Sequence, residues 1–212
     1  MRRESSTVVV LVGEVDDRFL AGFAQSPNVS VARAPAHGSR APAEGKTEAA
    51  RPAWETGAEA MREAAHRRST YVIVPDDPLA DVAAGWGAMW DLSAGPGGAA
   101  GFEANAADAL SAWKRKRFEL PDYYVVVAPA HTTGQNPDLY LGPLRAVRPR
   151  RVAVAGVADT PAAQAAWLLD TLRSLEHGPW WPPLDELIDA ARHFYAGALA
   201  EAQPTAADRR GR

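Results

Sequence analysis

Four apolar runs, each rich in β-branched residues, constrain this chain more than any other feature: residues 8–12, 71–74, 123–127 and 151–155, which break at Gly13, Pro75, Pro129 and Gly156. Short runs with no polar alternation describe strands buried on both faces, which is the signature of a parallel sheet covered by helices. Helical patterns lie between them. Residues 54–68 place Trp54, Ala58, Met61 and Ala65 on one face, residues 79–91 do the same with Leu79, Val82, Trp86 and Met89, and Phe102, Ala106, Leu110 and Trp113 continue the spacing. Residues 28–33 add a fifth strand. The fold expected is therefore α/β: one three-layer domain with a five-stranded, mostly parallel sheet, flavodoxin-like or Rossmann-like in the order 2-1-3-4-5, and helices on both faces.

With 212 residues the chain is long enough for one such domain, taken to span residues 1–203 with a tail at 204–212 that lacks order. Residues 34–53 carry alanine, proline, glycine and charge but almost no large apolar side chain, so they read as a mobile loop. Residues 93–101 are glycine-rich; lacking the lysine of a nucleotide loop and not following a strand directly, they read as a flexible connection. The run Lys114-Arg115-Lys116-Arg117 reads as a solvated face of one helix turn.

Composition removes several classes of function. A net charge of −3 speaks against general affinity for nucleic acid or anionic membrane. The absence of cysteine excludes disulfides, thiol catalysis and cysteine-held metal. No apolar run reaches the roughly 20 residues of a membrane helix, and no leader is evident, so cytoplasmic residence is expected. Arginine far outnumbers lysine, which stands only at Lys46, Lys114 and Lys116, a bias of GC-rich bacterial genomes.

The chemistry-bearing residues collect after the strands. Glu14, Asp16 and Asp17 follow the first, Asp76 and Asp77 the third, and His131, Thr132, Thr133, Gln135 and Asn136 the fourth. In an open parallel sheet all these exits lie on the C-terminal edge, where ligands bind. Gathered carboxylates repel unless a hard cation joins them, so Asp16, Asp17, Asp76 and Asp77 are candidate ligands for magnesium or manganese. His131 and Asp76 are the candidate acid–base residues. Gly13, Glu14, Thr132, Thr133, Gln135 and Asn136, with Gly156 and Thr160 at the fifth exit, are candidate ligand contacts.

Glu14 with Asp76-Asp77 loosely resembles the magnesium-holding pattern of the topoisomerase–primase fold, but here glycine precedes the glutamate and the aspartates are adjacent. Asp16-Asp17 with Asp76 is similar to a response-regulator receiver, whose fifth-strand lysine is replaced by Ala155-Gly156. Neither activity is carried over. The G-x-G-x-x-G and G-x-S-x-G motifs are absent. Two functions are expected on these grounds. One is binding of a small polar molecule at the sheet edge, with metal-assisted hydrolysis or group transfer as the reaction if there is one. The other is a non-catalytic interaction module that uses the Trp180-Trp181 turn and the last helix to hold a protein partner or a second copy.

Overall fold

The computed structural model describes residues 6–13, 15–23, 26–35, 51–90, 96–127, 138–156 and 160–202. Five strands, β1 (Thr7–Val12), β2 (Val29–Val31), β3 (Tyr71–Val74), β4 (Tyr123–Val127) and β5 (Val152–Ala155), form one sheet in which every pairing is parallel. The apolar runs become strands because helices cover both sides. Val9 to Val12 and the whole of β4 are buried, with alternate residues feeding two separate cores.

One core lies under α1 (Asp17–Ala21) and α6 (Pro161–Arg173), where Phe19, Leu20, Phe23, Leu168 and Leu172 meet Val9, Leu11, Ile73 and Val125. Helix α1 has five residues, too few to hold itself, so its stability comes from this packing, at about 1.5–3 kcal/mol for each fully buried large side chain. The other core is larger. It lies under α2 (Ala53–Ala64), α3 (Ala80–Trp90), α4 (Pro96–Lys114), a π-helical turn (Tyr140–Leu144) that runs into α5 (Arg145–Val147), and α7 (Leu184–Ala202).

The strand order is β2-β3-β1-β4-β5, so the expected 2-1-3-4-5 is corrected in one respect: β3, not β1, stands next to β2. Thr7–Val10 pairs with Tyr71–Val74 on one side while Val9–Val12 pairs with 123–126 on the other. Both orders need the same right-handed crossovers and the same helix on each face. Strands buried on both sides carry no mark of their lateral neighbours, so hydrophobic pattern does not separate the two arrangements.

The glycine-rich segment is also corrected, because α4 begins at Pro96 and takes in Gly97, Gly98 and Gly101. A Cβ on Gly98 would stand 2.2 Å from the Ala88 carbonyl oxygen, and one on Gly85 would stand 2.8 Å from the Phe102 Cα. These glycines let α3 and α4 approach closely, a benefit that outweighs their poor helix propensity.

The basic run is not a single helix turn. Helix α4 stops at Lys114, and Lys116 takes a left-handed conformation with φ 56°. Its amide bonds the Trp113 carbonyl at 2.8 Å and the Arg117 amide bonds Ala112 at 3.0 Å, the paired reverse bonds of a Schellman end.

The Trp180-Trp181 turn mostly closes the core. Trp181 is buried and donates its indole N–H to the Pro121 carbonyl at 2.8 Å. Trp180 is 38% exposed and stacks on Arg151 at 4.9 Å. Arg151 is buried against Tyr123 and reaches the carbonyls of Pro179, Asp122 and Gly178 at 3.0, 3.1 and 2.7 Å. It clasps the turn before α7 to the start of β5. Among the described residues no helix is long and apolar enough to cross a membrane.

Candidate functional site

Helix placement makes the end of β1 a topological switch point. At the β1 exit the chain leaves for the α1 face, whereas at β3 and β4, the neighbours of β1, it leaves for the opposite face through α3 and the π-helical turn. Such a divergence opens space beyond the carboxyl ends of the strands. Gly13 stands at this point. It has φ 124°, and a Cβ there would lie 2.6 Å from the Val127 carbonyl oxygen at the end of β4. Only glycine fits, which brings the β1 and β4 exits into contact.

The four aspartates named from the sequence each have a local partner. Asp16 caps α1, accepting the Phe19 amide at 2.7 Å. Asp17 is exposed and pairs with Arg33 at 2.5 Å, joining the first turn of α1 to the end of β2. Asp76 accepts the Ala34 amide at 2.9 Å and fastens the segment after β2 to the β3 exit. Asp77 points into the larger core, where Oδ1 accepts the Leu79 amide at 2.9 Å and Oδ2 accepts the Tyr140 hydroxyl.

Asp77 is the most perturbed carboxyl of this edge. Burial pushes its pKa up to about 6, against the opposing pull of the Tyr140 hydroxyl and the Leu79 amide. Burial, followed by the charge of Asp77, holds the phenols of Tyr124 and Tyr140 well above the usual tyrosine range. Their rings lie 5.0 Å apart, and the buried Tyr124 hydroxyl, beside Asp77, makes no hydrogen bond of normal geometry among the described residues. The cluster ties the β3 exit to the segment after β4, across the end of β1. Neither tyrosine was singled out from sequence, and the available signal was a hydroxyl on an otherwise apolar stripe.

At the fifth exit, the Gly156 carbonyl accepts the Gln164 side-chain amide, and Trp167 packs where a Gly156 side chain would go. Thr160 caps α6, accepting the Ala163 amide at 3.2 Å. Both therefore build the start of α6. Glu14, His131, Thr132, Thr133, Gln135 and Asn136 lie outside the described residues, as do 36–50 of the expected loop and the tail from 203.

Among the described residues no three of His, Cys, Asp or Glu are placed to hold a metal ion together. A cavity of about 440 Å³ lies beside α1 and the edge strand β2, with Asp17 and Arg33 among its lining residues. Comparison with family models, with curated proteins and with solved structures gave no match.

Proposed function

We propose that this protein binds a small polar ligand in the crevice over β1, between the exits of β1, β3 and β4. The observation that carries this reading is the divergence of the chain at the end of β1, where Gly13 brings the β1 and β4 exits together. Asp76, on the β3 rim, supplies the carboxylate, and the loop containing His131 and Thr132 supplies the acid–base and hydroxyl groups. Magnesium or manganese held at Asp76 extends the reading to metal-assisted hydrolysis or transfer.

A thermal-shift screen of small polar metabolites, with and without each metal, tests it. Hits are repeated on Asp76→Asn, which keeps an acceptor for Ala34, and on His131→Ala. Loss of the shift in either variant supports the site, and shifts that survive both defeat it. Reversal by a chelator adds the metal, and shifts indifferent to metal remove it.

A protein-contact function has one specific observation in its favour: Trp90 and Phe194 are 39% and 44% exposed, and both pack against the buried Trp86. They offer an aromatic surface on α3 and α7. Light scattering on Phe194→Ser tests it, since a mass that does not depend on concentration in either form removes a second copy as the partner.

A further inference from the structure

A cavity of about 450 Å³ opens at the opposite, N-terminal edge of the sheet, where the C-terminal ends of α2 and α4 meet the starts of β1 and β4. Its lining combines an apolar part, with Met61, Phe118 and Leu120, and four cations, Arg62, Arg67, Lys116 and Arg117. Glu119 and Asp122 line it too, and Asp122 is engaged by the Val8 amide at 2.8 Å. Cations outnumber carboxylates two to one.

Arg67 pairs with Glu63 at 2.8 Å, and Arg117 lies over the Trp54 ring at 5.5 Å. Arg62 donates only its Nε–H, to the Ala58 carbonyl, and neither Arg62 nor Lys116 makes an ion pair among the described residues. Cations near helix C-termini compensate the helix dipole, which accounts for Lys114 in the last turn of α4 and for Arg115 just after it. Lys116 can serve the same end, but at a backbone cost. That residue sits beyond the helix at φ 56°, where glycine is favoured and a side chain costs about 1 kcal/mol. The volume falls within the usual range for small-molecule sites, and a charged rim around an apolar lining selects ligands carrying both features.

We propose that this cavity binds a small amphiphilic anion, a carboxylate or phosphate monoester on a short apolar body, with Arg62 and Lys116 holding the anionic head. Calorimetric titration of the full chain with octyl phosphate and octanoate tests this, with octanol and inorganic phosphate as single-feature controls. The expected result is saturable binding of at least one amphiphile at a single site, with both controls weaker by roughly tenfold or more. Arg62→Gln with Lys116→Gly should weaken that binding by roughly tenfold, the glycine also relieving the left-handed backbone so that thermal stability holds. Asp76→Asn should leave it unchanged, which separates this cavity from the crevice over β1. Equal binding of octanol would reduce the cavity to an apolar hole, and equal binding of inorganic phosphate would leave helix-end compensation only. Either result overturns the proposal, as does an affinity unmoved by the double variant or no saturable binding of either amphiphile.

Discussion

Replacing Asp77 by Asn should flatten the pH dependence of stability between about pH 4 and 7. The carboxyl titrates near 6 in the folded chain against an ordinary value of 3.8, a gap of about 2 pH units. Each unit is worth about 1.4 kcal/mol, so the difference is about 3 kcal/mol. The sign follows from which form the fold prefers. Burial favours the protonated acid, so its contribution is fully present below pH 3.8, is lost as pH rises through 6, and stays lost above that.

Asparagine has no charge to bury, and its amide oxygen can still accept the Leu79 amide that Asp77 binds at 2.9 Å. Urea unfolding of both forms at half-unit pH steps is the assay. The free-energy difference between them should move by about 2.5 kcal/mol in favour of the variant from pH 4 to pH 7.5, the rest of the roughly 3 lying below pH 4. Other carboxylates, including Glu103, whose pKa the Arg192 hydrogen bond lowers, titrate in both proteins and cancel in the difference. Parallel curves, with the difference constant to about 0.5 kcal/mol, would refute the claim that this carboxyl is held in the core at the expense of its charge.

Three further outcomes follow from the same packing. Tyr140→Phe removes the hydroxyl donated to Asp77 and should cost about 1–3 kcal/mol in chemical denaturation at pH 7, less at pH 4.5 where the carboxyl keeps its proton. Gly13→Ala meets both a φ of 124° and the Val127 carbonyl, so a loss of about 2–4 kcal/mol is expected, and a neutral result would show that the contact between the β1 and β4 exits yields easily. Arg151→Lys keeps the charge but not the fork that serves three carbonyls, and should lower thermal stability by the equivalent of about 2–3 kcal/mol.

Much of the architecture was legible because burial on both faces writes itself into a run of side chains. Tyr71–Val74 and Tyr123–Val127 coincide with their apolar runs. Lateral order was not legible, because Val9 and Ile73 look alike to the pattern whichever strand lies beside them. The α4 start was hidden because Gly98 is chosen for its contact with Ala88, which local propensity does not record. At the site, the positions of Asp76 and Asp77 after β3 were read correctly, but not the directions of their side chains. Adjacent residues of an extended chain point to opposite sides, and here Asp76 turns to the Ala34 amide while Asp77 enters the core.

The Arg151 clasp has a consequence for how the molecule comes apart. Its guanidinium belongs to the residue just before β5, yet the carbonyls it holds at Gly178 and Pro179 lead directly into the approach to α7. Peeling the outermost strand away therefore unlatches the terminal helix as well, and the two segments, separate in sequence, behave as one cooperative subunit of unfolding.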